Sequence, residues 1–467
     1  MRIPIRARRA LAAAGVVAAV AAVPAAAQAA PGDLDTSFGS GRGFVTTDVI
    51  AGGQVVDNGE AVAVGPFGDA YVAGTSFGSS LPETLTVAHY NCCGLDTTFG
   101  VRGTVAVQLG QATTGRDVVY DDRADGAIAN DRLLVAGSLT RDGVRRALVV
   151  ALPREGRGLD RAWNGEGFVA HGVPGATSAE LVALAPERGG RVVAVGNATI
   201  AGRQRGFVAR YTPDGRLDPA FSGDGLRVLG VARRGVGADA VRIADVAYDA
   251  ARDRIVAAGS ATFAGADPAA DEHTLVLALR GADASFDGGF NGSGARLLSL
   301  ADGDERATAV ALQPDGRVVL AGVNEPGSGG DAGVVTARLR TDGAFDPDYS
   351  RDGRTFYRPR TPARDVGATD VAVHGPTGQI TLTAFDRGGT TNSDDDDTFT
   401  LLRYTPAGDR DASFGTGGEV RTNLNPGVGG FEAAAAIGLR RDGSVVAAGS
   451  AVPGGSWQFA VALYRNG

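Results

Sequence analysis

The chain has 467 residues, with 45 basic side chains against 53 acidic ones, a formal charge of −8 and two cysteines. That balance, with no basic stripe, excludes a protein held to nucleic acid by phosphate contacts, and two cysteines cannot staple a disulfide scaffold. The 71 glycines, with no sustained 3.6-residue periodicity, point to an all-β chain full of turns. Arginine carries every basic position, which reads as coding bias.

Residues 1–29 read as a secretory signal. Arg2, Arg6, Arg8 and Arg9 form a basic region, Ala10 to Val23 an apolar run, and Ala27-Gln28-Ala29 a small-x-small cleavage site. The run is short for a bilayer span, which takes about 20 residues. Arg8-Arg9 hints at a twin-arginine route, but ordinary secretion fits the flanks better. The expected product starts near Ala30, is secreted or held at the cell surface, and has lost four arginines, moving its formal charge from −8 to about −12.

Residues 30–467 form one repeat array. Leu34-Asp35-Thr36-Ser37-Phe38-Gly39 opens it, and the Asp of that motif returns at Asp96, Asp160, Asp218, Asp287, Asp346 and Asp411, about every 63 residues. An aromatic follows three positions later in each copy: Phe38, Phe99, Trp163, Phe221, Phe290, Tyr349 and Phe414. A glycine closes each motif, from Gly43 to Gly418. A fixed period of this size marks a propeller, solenoid or array.

Within a copy, a short apolar strand such as Phe44-Val45-Thr46 follows the glycine. A variable connection leads to a second strand, as in Val310-Ala311-Leu312-Gln313, and Pro314-Asp315-Gly316 turns the chain into a third. Asp-Gly between two β-rich runs marks a hairpin, because Gly accepts positive φ and Asp bonds its own backbone. A second variable connection precedes a strand such as Phe207-Val208-Ala209-Arg210-Tyr211. Four antiparallel strands per copy make a propeller blade.

The last copy stops at Leu463-Tyr464-Arg465, where the next Leu-Asp motif is due, and Leu34-Asp35 supplies it. The expected fold is therefore a seven-bladed β-propeller closed by its two termini, which leaves no exposed sheet edge. An open solenoid of the same strands is the alternative.

The pairing of Val310-Ala311-Leu312-Gln313-Pro314-Asp315-Gly316-Arg317-Val318-Val319-Leu320-Ala321-Gly322 with Leu-Asp-x-x-Phe-Gly-x-x-Gly resembles the bacterial delta-60 repeat. The resemblance covers nearly everything after the signal. It implies a secreted or surface β-propeller-like protein without a defined biochemical role, and it carries over no catalytic residues. Phe286 and Arg410 stand where the motif has Leu.

Candidate sites each have a plainer reading beside them. The seven motif aspartates could bind calcium with neighbours such as Asp224, Asn291 or Asp352. Calcium wants six to eight oxygens and each copy offers one or two recurrent carboxylates, so turn capping is the better expectation. Asp394, Asp395, Asp396 and Asp397 form an acidic run without EF-hand spacing, which favours a solvated loop over a metal site. Adjacent Cys92 and Cys93 could form a vicinal disulfide, strained because a trans peptide holds neighbouring Cα atoms near 3.8 Å, or remain two free thiols. The four histidines share no repeat position, and no nucleophile, phosphate-loop or zinc signature is present. No cofactor beyond calcium is suggested.

Counting strands puts the Asp-Gly hairpins and Leu-Asp motifs on one face and the variable connections on the other, among them Thr75 to Thr84, Ser260 to Thr274, Val323 to Ala332 and Phe385 to Thr398. Varied loops on a rigid frame are where recognition usually lives. The expectation is a monomeric, non-catalytic scaffold whose variable face binds a protein or envelope polysaccharide. The alternative is a secreted hydrolase of a sugar or lactone, metal-assisted or working through paired carboxylates.

Overall fold

A computed structural model describes residues 30–50, 55–122, 128–233, 235–263, 272–326, 331–359, 364–387, 397–425 and 431–466. Residues 1–29, the expected signal, and Asp394, Asp395 and Asp396 lie outside them. Seven four-stranded antiparallel sheets form a ring, six of them with their strands in sequence order from the axis outwards and the seventh with its outer strand taken from the N-terminal end. Blade 1 spans 55–107, blade 2 112–171, blade 3 176–228, blade 4 240–298, blade 5 304–357 and blade 6 365–422.

Blade 7 takes Glu432–Leu439, Val445–Ala451 and Gln458–Tyr464 from the C-terminal end and Phe44–Thr47 from the N-terminal end. Phe44 pairs with Ala462 and Thr47 with Phe459, so the two ends close the ring. Pro31 and Gly32 complete the blade 7 turn, with the Gly32 amide donating to the Arg465 carbonyl and the Arg465 amide to that of Asp33. The open solenoid is thereby ruled out.

Burial follows from strand order. The second and third strands are covered on both faces by neighbouring blades, so Leu133–Ala136 and Leu148–Leu152 are fully buried and read as continuous apolar runs. Seven apolar clusters result, each shared by two adjacent blades. The first strand of every blade carries a β-bulge at the same place, for example between Gly115 and Asp117 and between Ile243 and Asp245. A bulge bends its strand and raises the local twist, as the crowded inner edge of a ring requires.

The motif hairpins are less uniform than the repeat suggests. Between the first two strands of blade 2 the connection runs from Asp121 to Arg132, and in blade 4 it is short and turns at Asp253 with φ 49°. Strands also reach into all four connections named as loops, since Thr75 lies inside Ala70–Gly78, Ser260 inside Arg254–Thr262, Val323 inside Val318–Glu325 and Phe385 inside Ile380–Arg387. The two faces hold as expected.

Candidate binding face

On the hairpin face, the motif is a hydrogen-bonded turn in all seven copies. The first oxygen of each Asp accepts the amide two residues on, from Ser37 at Asp35 through Thr98, Ala162, Ala220, Gly289 and Asp348 to Ser413 at Asp411. The closing glycine donates its amide to the carbonyl of the aromatic in every copy and sits at positive φ, 77° at Gly43 and 95° at Gly103. The aromatic lies against the next blade, and a Cβ on Gly215 would meet the Trp163 ring at 2.5 Å.

The second Asp oxygen binds an arginine, which sequence reasoning missed. Arg210, Arg338 and Arg403, on third strands, pair with Asp218, Asp346 and Asp411 at 2.9, 2.7 and 2.9 Å. Blades 2 and 4 have Ala151 and Ala278 at that third-strand position and supply Arg132 and Arg254 from the start of the second strand instead. Arg254 reaches Asp287 at 2.6 Å and Arg132 reaches Asp160 at 3.7 Å. Blade 1 uses His89, held between Asp69 and Asp96 at 3.0 and 3.1 Å, and blade 7 uses Arg465 on Asp35.

Five of these guanidiniums, those of Arg132, Arg210, Arg254, Arg338 and Arg403, also lie over their own motif aromatic, Arg403 4.2 Å from the Phe414 centroid and Arg210 4.6 Å from that of Phe221. They then donate into the next blade, Arg254 to the Thr341 carbonyl and Arg132 to that of Pro213. One side chain thus joins turn, aromatic and neighbouring blade. Burial alone would push Asp35, Asp96, Asp287 and Asp411 up, but hydrogen bonds and the adjacent cations outweigh it and hold all four below the usual range.

Among the described residues, no group of three or more His, Cys, Asp or Glu side chains could hold a metal ion. Asp397, the last of the acidic run, is described and lies two residues before the third strand of blade 6. Cys92 and Cys93 occupy the blade 1 turn, exposed and unbonded, with sulfurs 3.0 Å apart. The Cys93 carbonyl accepts the Gly39 amide across the blade 7–blade 1 seam. The remaining histidines are dispersed: His171 bonds the Tyr211 hydroxyl, His374 bonds Thr377, and His273 meets Arg233.

Around the bore, the residue after the bulge is Ala61, Asp117, Ala183, Asp245, Ala309, Asp370 and Ala436 in blades 1 to 7. Each aspartate accepts the amide of the following residue and one from the next blade: Leu184 for Asp117, Val310 for Asp245 and Ile437 for Asp370, at 2.7, 2.7 and 2.9 Å. The carboxyls keep a partial opening to the bore, yet protein surrounds them on every side. That desolvation pushes Asp117 up to about 6 and Asp370 up to about 7, and holds Asp245 well above the ordinary range, the other two adding repulsion there. The signal was readable: Asp-Val recurs at 117, 245 and 370, every second copy.

On the opposite face, connection length is strongly uneven. Over blades 2 and 3, Asp142-Gly143 and Ala201-Gly202 are two-residue hairpin turns, and residues 108–111 and 172–175 enter those blades as four-residue links. The corresponding connections within blades 4 to 7 hold between six and eleven residues. Beside the low side lies an array of ion pairs: Arg116 with Glu60 at 3.1 Å between the inner strands of blades 2 and 1, and Arg145, on the third strand of blade 2, with Glu180 on the inner strand of blade 3 at 3.3 Å and Glu83 at 3.9 Å. Burial raises the Glu60 carboxyl despite Arg116. Phe77, Val144 and Val236 expose apolar surface on the same face.

A family model described as a domain of unknown function, DUF5122 beta-propeller, matches residues 190–221 and 313–349. Each match runs from a hairpin to a motif aromatic, Phe221 and Tyr349, so the chain carries propeller repeats of that type. No curated protein matches by sequence. Among solved structures, the polysaccharide lyase Uly1 superposes with TM-score 0.50 at 11% identity, covering 89% of this chain and 92% of its own. Sqt1 from Chaetomium thermophilum gives 0.40 at 11% identity with 85% and 81% coverage, and a PL25 ulvan lyase 0.37 at 12% with 89% and 96%. These are likenesses of fold. No helix among the described residues is long and apolar enough to cross a membrane.

Proposed function

We propose that this chain is an exported, non-catalytic propeller of the delta-60 repeat type that binds an extended polysaccharide of the cell envelope across the low side of its variable face. The observation that carries the reading is the unevenness of the connections. Over blades 2 and 3 all four are two to four residues long, which leaves the Glu60, Arg116, Glu180 and Arg145 array open from the side. A polymer needs such an entrance, since it can lie across a face without threading a bore. Ion-paired side chains with apolar neighbours suit a ligand rich in hydroxyls, because both signs of partner are present and already oriented. The likeness to polysaccharide lyases makes polysaccharide the ligand class to test first.

The test is cosedimentation of mature protein with envelope and extracellular polysaccharide fractions, with the supernatant assayed for released fragments. Retention without fragments, reduced when six residues are inserted at Ala201-Gly202, supports the reading. Retention unaffected by that insertion overturns the site. Heat-labile release of sugar fragments overturns the non-catalytic reading and puts a sugar-cleaving propeller in its place.

A further inference from the structure

Blades 5 and 6 enclose a pocket of about 560 Å³ on the hairpin side, lined by Arg351, Arg354, Phe356, Tyr357, Tyr404 and Arg410, with Asp352 and Asp409 at its rim. It lies away from the variable face and stands or falls independently of the function proposed above. Two departures from the repeat create it.

The first is Arg410. Copies one to four have Leu34, Leu95, Leu159 and Leu217 at this place, and copies five and six have Phe286 and Phe345. The apolar side chain packs on the closing glycine of its motif, as Leu159 does on Gly167. In blade 6 a guanidinium takes that room, lying 4.5 Å from the Tyr357 centroid and 5.8 Å from that of Tyr404. Its only carboxylate contact is a long one to Glu419 at 3.5 Å, and its Nε has no hydrogen-bond partner.

The second is Tyr404. Where the third strand ends in tyrosine elsewhere, the hydroxyl bonds the fourth residue of the preceding blade's outer strand: Tyr90 to Thr47 at 2.8 Å, Tyr211 to His171 at 2.6 Å and Tyr464 to Thr422 at 2.9 Å. In blade 6 that fourth residue is Tyr357, whose hydroxyl goes to Glu419 at 2.6 Å instead. Tyr404, only 2% exposed, makes no well-aligned hydrogen bond through its hydroxyl, and its interactions there are loose ones with Thr355 and Arg410. Thr355 is already committed to Thr336. A buried hydroxyl without a well-aligned partner is costly enough to be rare and asks for an explanation.

We propose that this pocket binds a carboxylate-bearing sugar, with Arg410 taking the carboxylate, Tyr404 a ring or hydroxyl oxygen, and the Tyr357 ring, beneath Arg410, flanking the sugar. The pocket's own acids are largely spoken for: Asp352 pairs with Arg354 at 3.0 Å, and Glu419 holds Arg421 at 2.6 Å as well as Tyr357. Arg410 therefore has donors to spare in the planar arrangement that suits a carboxylate.

The probe is a trigalacturonate, with the neutral trisaccharide maltotriose as control, titrated calorimetrically against mature protein. Arg410→Leu restores the residue of four sister copies, so it should fold and melt at least as high as the parent, and Tyr404→Phe removes one oxygen. Saturable trigalacturonate binding, weakened about tenfold or more in R410L and a few-fold in Y404F with the melting temperature kept, is the expected result. Absence of binding at millimolar trigalacturonate, equal binding of maltotriose, or unchanged affinity in folded R410L would each overturn the proposal.

Discussion

The Arg254 guanidinium meets the Asp287 carboxylate at 2.6 Å from the second strand of blade 4, where Arg210 reaches Asp218 in blade 3 from the third. The same ion pair is built from two directions. It follows that the repeat conserves a location for positive charge, over an aromatic and between two blades, and not a sequence position.

The two routes differ in what happens when the arginine is lost. Removing one partner of a buried pair costs about 3–5 kcal/mol because the other charge stays behind. In blade 3, Arg191 occupies the second-strand position used by Arg254 and already acts on Asp218, though it is bonded to Glu187. Arg210→Leu leaves that substitute available. Arg254→Leu has none, because its third-strand position is Ala278. Denaturant melts should show R254L losing more stability than R210L, by about 1 kcal/mol or more; equal losses would mean Arg191 cannot swing across.

The bore aspartates set a pH dependence of definite sign. Asp117 and Asp370 are raised by burial to about 6 and about 7, and Glu432, also raised by burial, to about 7. Stability from groups raised in the folded state is fully present below their unfolded values near 4 and is lost as pH climbs through 6 to 7. The motif aspartates are lowered, so their contribution is present above about 4 and lost on further acidification. The melting temperature should therefore peak in mildly acid solution and fall between pH 5 and 8. Asp370→Asn should flatten that fall while lowering the whole curve, since an amide cannot accept from both Val371 and Ile437, at about 1–3 kcal/mol. A slope equal to the parent's would remove Asp370 from the explanation.

The vicinal cysteines should behave as two accessible thiols. Both are exposed, and the Cys92 sulfur beside it raises the Cys93 thiol. Native protein treated with iodoacetamide should gain two carbamidomethyl groups by intact mass, faster at pH 9 than at pH 7. A product two mass units light that resists alkylation until reduced would show the vicinal disulfide instead.

Deleting residues 31–47 should prevent formation of a stable monomeric ring. It removes the outer strand of blade 7, Asp35 beneath Arg465, and Gly39, whose amide reaches Cys93 in blade 1. The Gln458–Tyr464 edge would be open to another chain. Size-exclusion chromatography should show association or aggregation; a stable monomer would mean the other six blade contacts suffice.

How far the sequence reaches depends on what the repeat repeats. Seven blades, their two faces and closure through Leu34-Asp35 were legible because the motif returns in every copy with its aromatic and glycine. The arginine network was hidden because its members change strand, Arg210 here and Arg254 there, so no single column reveals them. Asp117, Asp245 and Asp370 were readable as Asp-Val in alternate copies, yet went unread because four of the seven copies have alanine at that place. Tyr404 is one of four equivalent tyrosines, and only the missing partner sets it apart, which needs coordinates.

The terminal closure has a consequence for the order in which the ring can be built. A chain made from its N-terminus produces Phe44–Thr47 before blades 1 to 6, yet that strand's partner, Gln458–Tyr464, emerges only after all six of them. Blades 1 to 6 can each pair from contiguous chain as they appear. The strand Phe44–Thr47 must wait unpaired meanwhile, and the closed ring cannot exist until Gln458–Tyr464 has been made.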